Sequence, residues 1–381
     1  MRIVHLSSPN AFEELRPDWN ALLSTAMSNN VFLTWEWQST WWRTYGRQGA
    51  LRLLLAYDDA NRLSGIAPLY RSSTYVGPRR FRTLEFVGGR HVASEYLDFI
   101  ARSEVHGQVV GAFLGDLQRQ RDWDLLVGHH TAAWSPTIAM LHDPSLGLSW
   151  MITDRIDNPY VPVPADWESY LAQLSKKTRG NINYYRNGAE KKLRATVCDV
   201  RDNIAEALPE LVELHQKRMR QLGYPGSFAS ARFIRFHDRV ARLFGEQGWG
   251  RLFALRVGDR LIAANYGFAY NGTFFDYSMG FDPAYKKHSI GFVLFTHMLE
   301  RCIRDRLEVD FLDPGEFKEL WNPERRQKVS YVVGASGRVL DAYGRASAAR
   351  SFVVERVKRL LPAQVASRLA IWKDLLLSRH S

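Results

Sequence analysis

Lys286-Lys287-His288-Ser289-Ile290-Gly291 is a basic run of small and polar residues that leads into an apolar stretch, Phe292 to Arg304. Phe292, Phe295, Leu299 and Ile303 fall on one face of a helix. Free N–H groups at a helix N-terminus point outward, and the helix dipole favours negative charge there. The run predicts an anion site, with backbone N–H groups making the contacts and the lysines adding charge.

Other residues of chemical interest lie on either side of this run. Asp313, Glu316 and Lys318 follow a predicted strand, Leu307 to Leu312. A carboxylate beside a lysine at a strand end is a candidate base or acceptor clamp. Glu95 and Asp98, with Ser94 and His91, flank a predicted short strand and are candidates to reach an acceptor groove. Ser175, Lys176, Lys177, Thr178 and Arg179 open a basic helix that suits an acidic or sugar-phosphate group; Tyr184, Tyr185 and Arg186 on the same helix are candidates to line the groove. His215 and His297 sit on apolar helices and read as satisfied core histidines. Cys198 and Cys302 give neither a disulfide framework nor metal-ligand spacing, so no metal is expected.

The elements that must position these residues are legible from periodicity. Arg251 to Val257, Leu261 to Tyr270 and Thr273 to Met279 read as three strands. Asn271-Gly272 between the last two is a strong hairpin signal, because both turn residues need positive φ. The helix from Phe292 and the strand from Leu307 complete a strand-strand-loop-helix-strand unit. The first part of the chain repeats this order without a basic glycine loop. A helix spans Phe12 to Ser28, and an aromatic helix capped by Thr34 carries Trp35, Trp37, Trp41 and Trp42. Strands follow at Leu51 to Tyr57, Leu63 to Tyr70 and Phe81 to Gly89, then a helix from Val105 to Gln118 and a strand at Trp123 to Val127. Asn158 to Pro164 is proline-rich and reads as a linker or edge segment. Pro209 to Leu222 reads as a helix with proline in its first turn and Gly223 past its end. Phe233 to Gln247 is a further helix.

At 381 residues the chain is long enough for two domains, and 46% hydrophobic residues exclude a disordered chain. The start lacks the long apolar core of a signal peptide, and no run approaches a transmembrane span. A cytoplasmic location is the expectation. The net charge of +11 suits an acidic ligand, a nucleic acid or a membrane face. From Arg345 onward, however, eight basic residues stand against two acidic ones, more than half of that excess. The tail therefore reads as a separate basic helical segment from Ser347, broken at Pro362 before a second helix at Val365 to Leu377, and suited to peripheral contact with the inner membrane face.

Four segments together resemble the CelD/BcsL-type acetyltransferases, a branch of the GNAT superfamily related to the FemAB-like transferases. They are Phe32-Leu-Thr-Trp35-Glu36-Trp37, Ser94-Glu95-Tyr96-Leu97-Asp98-Phe99, Leu174 to Arg179 with Asn183-Tyr184-Tyr185-Arg186, and Lys286 to Gly291. Where the branch carries an Arg-Gly-Asp-Glu-like run, this chain has Asp313-Pro314-Gly315-Glu316. The resemblance implies an α/β (α+β) fold of tandem GNAT-like domains, each a mixed, mostly antiparallel sheet flanked by helices. Boundaries at 1–157, 158–344 and a tail at 345–381 are expected. It implies an acyltransferase that uses acetyl-CoA as co-substrate at Lys286, Lys287, His288, Ser289, Ile290 and Gly291. Carboxylates on the strand before that loop serve as base in many such enzymes, which makes Asp276 a candidate beside Tyr277. The implied acceptor is a saccharide, lipid-linked saccharide or polysaccharide precursor, bound by Glu95, Asp98, Lys177, Arg179 and Tyr185, and DNA is not implied. Two alternatives stay open: FemAB-like transfer from aminoacyl-tRNA, and a catalytically silent GNAT-fold assembly or regulatory protein.

Overall fold

The computed structural model describes residues 1–360 apart from 9, 48 and 49. The chain forms two compact units, one of Met1–Arg155 with the segment from Lys328 on, the other of Ile156–Gln327.

The first unit opens with β1 (Arg2–Leu6), α1 (Ala11–Glu14), α2 (Arg16–Ser24) and α3 (Trp35–Tyr45). An antiparallel meander follows, β2 (Leu51–Tyr57), β3 (Leu63–Val76) and β4 (Arg79–Phe86). After β5 (Ile100–Ala101) and α4 (His106–Arg119), β6 (Leu125–Ala132) runs parallel to β4, with Thr83 opposite Leu125. α5 (Pro136–Leu141) comes next. The stretch 328–334 closes the sheet antiparallel to β6, with Gly334 opposite Leu125. As the sequence predicts, Thr34 caps α3, accepting from the Trp37 amide. Trp35, Trp37 and Trp41 are fully buried.

Their indoles explain one departure from the sequence reading. Residues 91–99 form a loop, not a strand. Trp37 donates to Ser94 Oγ at 2.8 Å, Trp41 donates to the Gly89 carbonyl at 2.9 Å, and Thr131 Oγ1 donates to the Leu97 carbonyl at 2.9 Å. Tyr96 has φ 58°, which no strand accommodates. Side chains here satisfy the backbone groups that a ladder would otherwise pair.

The second unit begins within β7 (Ser149–Val161) and continues through α6 (Trp167–Gln173), α7 (Lys176–Leu193), β8 (Ala195–Val200), α8 (Ile204–Gln221) and α9 (Ala231–Glu246). Then come the meander β9 (Gly250–Val257), β10 (Arg260–Tyr270) and β11 (Thr273–Phe281), the helix α10 (Ile290–Arg304), β12 (Glu308–Asp310), and α11 (Glu316–Glu319). β13 (Glu324–Gly334) leaves this unit and supplies the stretch that closes the first; α12 (Gly337–Leu360) follows it. The strand order in the second unit is β7-β12-β11-β10-β9-β8, with β11 and β12 parallel and the other pairs antiparallel. Both units therefore carry an antiparallel meander, one parallel pair and an antiparallel closing strand, the repeat that the sequence order predicts. Asn271 and Gly272 take φ 47° and 77°, the turn expected of them.

Other boundaries differ from the sequence reading; the helix expected from Phe12 to Ser28 is two, α1 and α2, ending at Ser24. Pro209 lies inside α8, not in its first turn. The buried stripe of Ile204, Leu208 and Leu211 extends the helix backward, and its burial outweighs the lost amide bond. The proline-rich segment after Asn158 is a strand, with Tyr160 opposite Asp310 and Val161 opposite Val309. Residues 328–344, expected in the second domain, belong with the first unit, because the backbone of 328–334 pairs with β6. The predicted helix at Val365 to Leu377 lies outside the described residues.

α8 packs flush on β11 at Gly280, where an added Cβ would stand 2.7 Å from the His215 amide nitrogen. Gly280→Ala is expected to cost about 1–3 kcal/mol of stability, since a helix backbone has no rotamer by which to yield. A fall in the urea midpoint checks this; an unchanged midpoint would mean that the helix shifts freely.

Candidate functional site

β11 and β12 pair over only three residues, and Phe275 opposite Asp310 is the last pair. β11 runs on to Phe281, while the other strand's chain turns away through Leu312 at φ 62°. A cavity of about 500 Å³ opens where they part. Its wall includes Lys286, Ser289, Ile290 and Gly291 at one end, Asp276 and Tyr277 along β11, Lys318 from α11, and Arg218 from α8. Met279, Phe281, Phe292, Phe295 and Phe317 make the rest of it largely apolar.

Asp282 builds the approach to α10. It is almost wholly buried and accepts from the Ala284 amide at 3.0 Å, which starts the 3-10 turn Pro283–His288. Lys217 and Arg260 each hold its carboxylate at 2.7 Å, which keeps its pKa below the ordinary range despite burial. Ser289, at φ 49°, swings the chain into the helix. The Ser289 amide is returned to the Lys286 carbonyl, and the Val293 amide to the Ser289 carbonyl. Between them, the amides of Ile290, Gly291 and Phe292 open α10 and have no acceptor within their own helix. A Cβ on Gly291 would lie 3.3 Å from the Phe281 ring and 3.7 Å from Met279 Sδ, so glycine keeps this end open. Lys286 borders the cavity. Lys287 and His288, expected in the same role, do not: Lys287 is exposed, and His288 lies 6.4 Å from the Tyr285 ring.

A bulge sets the middle of the wall. Tyr266 pairs with Ser278 and Gly267 with Asp276, which leaves Tyr277 as the extra residue. Asp276 and Tyr277 consequently both border the cavity. Asn265 Nδ2 donates to Asp276 Oδ1 at 2.7 Å. Burial pushes the Asp276 carboxyl above the ordinary range, against the opposing pull of Lys318 and of the Asn265 bond. Lys318 Nζ donates to the carbonyls of Phe311 and Asp313, both at 2.7 Å, and so fixes the turn below the cavity. The Tyr277 hydroxyl lies 3.2 Å from His237 Nε2; burial lowers that histidine's pKa to about 3, so it is neutral.

Several sequence-predicted residues lie elsewhere. Asp313 and Glu316 are exposed and outside the cavity wall, although Gly315, Phe317 and Lys318 beside them border it. Glu95 and Asp98 are buried in the first unit. Glu95 takes Lys328 Nζ at 2.7 Å and His130 Nδ1 at 3.0 Å, and Asp98 takes the Phe99 amide at 2.8 Å and the Ser135 hydroxyl. Ser94 is held by Trp37, and His91 stacks on Tyr45 at 4.6 Å. These residues hold the loop rather than present a groove. On α7, Lys177 is exposed, Arg179 donates to the carbonyls of Leu174 and Ala172 at the end of α6, and Tyr185 packs on Phe292 at 5.8 Å. Arg186 pairs with Glu300 and His297, whose pKa falls to about 4 through burial. Sequence reasoning missed Arg218, Asn265 and the apolar wall. Asn265 had left a signal, a lone amide in the apolar run Leu261 to Phe268.

Residues 176–319 match a family model described as an acetyltransferase (GNAT) domain, and every residue bordering the cavity falls within that span. No curated protein matches the chain. Among solved structures the chain is similar to FemX, 11% identical with a TM-score of 0.61, over 89% of this chain and 98% of that one. A conserved protein of unknown function from Bacteroides thetaiotaomicron is 13% identical, TM-score 0.51, over 87% of this chain and 99% of that one. L-PGS from Bacillus licheniformis is 14% identical, TM-score 0.51, over 88% and 94%. These likenesses establish a tandem GNAT-like fold. The domain that holds the cavity is an acyltransferase domain of the GNAT type. No helix among the described residues is long and apolar enough to cross a membrane.

Asp98 gives a pH prediction. Burial raises its pKa from 3.8 to about 6. The folded state therefore holds the proton more tightly than the unfolded state. The associated stability is full below the unfolded value and is lost as pH rises through about 6. Asp98→Asn is expected to remove this component, on the order of 2–3 kcal/mol between the two limits. Calorimetric melting from pH 4 to 7 should show a flatter profile for the variant; parallel profiles would refute the assignment.

Proposed function

We propose that this protein transfers an acyl group, most simply acetyl, from acyl-CoA to an amine or hydroxyl of a saccharide, lipid-linked saccharide or polysaccharide precursor. The observation that carries the reading is that the first turn of α10, Ile290, Gly291 and Phe292, lines the same cavity as Lys286 and Asp276. Free amides at a helix N-terminus suit a diphosphate, and the missing side chain at Gly291 leaves room for one. The saccharide acceptor rests on the resemblance to the CelD/BcsL-type enzymes.

Acyl-CoA, when bound, supplies the activated thioester. The protein's part is to orient the two reactants and move one proton. Asp276 is the base: it takes the proton from the acceptor nitrogen or oxygen as that atom bonds to the acyl carbon and the carbon–sulfur bond breaks. A carboxyl raised by burial matches this task better than an ordinary one. Asn265 fixes its orientation, and Lys318 holds the turn opposite. The apolar wall excludes water from the reacting carbon.

Similarity to FemX and L-PGS supports a second reading, in which the acyl group is an amino acid carried on tRNA. Salt-sensitive tRNA binding that acetyl-CoA fails to displace would favour it.

Gly291→Glu is expected to abolish acetyl-CoA binding measured by calorimetry, through a blocked cradle and a repelling charge. Unchanged affinity would remove the diphosphate assignment. Asp276→Asn is expected to leave acetyl-CoA affinity intact and slow its turnover by roughly 10²–10⁴-fold. Because the Asp276 pKa is raised, wild-type kcat/KM should climb with pH at values above the ordinary carboxylate range, and the variant should lack that limb. A variant that keeps both rate and limb would exclude Asp276 as base.

A further inference from the structure

Arg218 is a half-buried cation on the cavity wall with no counter-ion. No carboxylate stands within ion-pair distance of it among the described residues, and burial alone lowers its pKa. Other enclosed arginines of the same unit are paired: Arg251 with Asp199 and Asp305, Arg256 with Glu210, Arg326 with Glu308 and Asp310. Removing a guanidinium from water without an anion is unfavourable, so such a group on a cavity wall needs a reason.

Nearby acids are already committed. Asp282 is held by the adjacent Lys217 and by Arg260. Asp276 is acted on by Lys318 and Asn265, not by Arg218. What the Arg218 guanidinium does touch is the Phe281 ring, with Cζ 4.5 Å from its centroid. The same ring lies against Gly291. Phe281 thus stands between Arg218 and the first turn of α10.

The two anion positions reach the cavity from different helices. Successive residues of a strand point to opposite faces. Gly280 faces α8, whose backbone meets it, while Met279 and Phe281 face Gly291 at the start of α10. The α10 amides and Lys286 account for a diphosphate at one end of the cavity. Arg218 enters from α8 and meets the Phe281 ring.

We propose that Arg218 holds an anionic group of the acceptor, a phosphate or a carboxylate, so that the molecule receiving the acyl group is an acid. This rests on the cavity being the transfer site. An arginine fork engages either group through two parallel N–H bonds. The arrangement gives donor and acceptor separate charge anchors, so both can be held at once with Asp276 on the wall they share.

The test uses the full chain saturated with acetyl-CoA and titrated with methyl phosphate, followed by ³¹P NMR, and separately with acetate. Wild type should bind at least one of the two saturably, with acetyl-CoA still in place. Arg218→Met should weaken that binding at least about tenfold and leave acetyl-CoA affinity within about twofold, while Arg218→Lys should fall between. Melting curves show whether the variants are folded, and the lysine variant decides if the methionine variant is not. The proposal is overturned if neither anion binds the saturated protein, if acetyl-CoA displaces the anion, or if Arg218→Met weakens acetyl-CoA itself. The last two outcomes would assign Arg218 to the donor and leave the transferase reading standing. Wild type that binds no acetyl-CoA would end both.

Discussion

The structure depends on two parallel strands that pair briefly and then separate. After Phe275 and Asp310, β11 keeps its antiparallel partner β10 and loses β12. A sheet that opens in this way exposes a strand edge inside the fold, where unpaired backbone and partly buried side chains face one space. Asp276 is raised by its burial there, Lys318 is tied to two carbonyls of the departing chain, and α10 begins at the mouth.

The first unit contains the same break and closes it. β4 and β6 are parallel from Thr83/Leu125 to Glu85/Val127. Beyond that point the loop 88–99 lies along β6: the Tyr96 amide donates to the His130 carbonyl at 2.9 Å, and Thr131 donates to the Leu97 carbonyl. The buried Glu95–Lys328 pair sits in the same place. A buried ion pair contributes little net stability against an apolar alternative, but losing one partner is costly. The two units thus share a topology, and in the first the loop 88–99 lies where the second has its opening.

How much of this was legible depended on the length scale of the signal. The β10–β11 hairpin, α10 and the basic run before it were read correctly, because turn chemistry and apolar spacing are local properties. Gly291 and Asp276 lie inside that local frame, and both border the cavity. Glu95 and Asp98 were read as groove residues because a carboxylate in sequence looks the same whether it meets solvent or a lysine more than two hundred positions away. Asp313 and Glu316 are near the site in sequence, yet their side chains are exposed while Gly315, Phe317 and Lys318 border the cavity. Arg218 was missed for the opposite reason: among the neighbouring basic residues of α8, only the tertiary arrangement distinguishes it from Lys217, which has Asp282.

The first unit is not continuous in sequence. Its closing strand, 328–334, and the lysine that neutralises Glu95 come after the entire second unit. A chain emerging from the ribosome must therefore present all of 156–327 before β6 can acquire its outer neighbour. Until then Glu95 lacks its ammonium partner, and the edge of β6 is bare. The order of synthesis makes the cavity-bearing unit the first that can be completed, and it leaves the half made earliest waiting for its last strand.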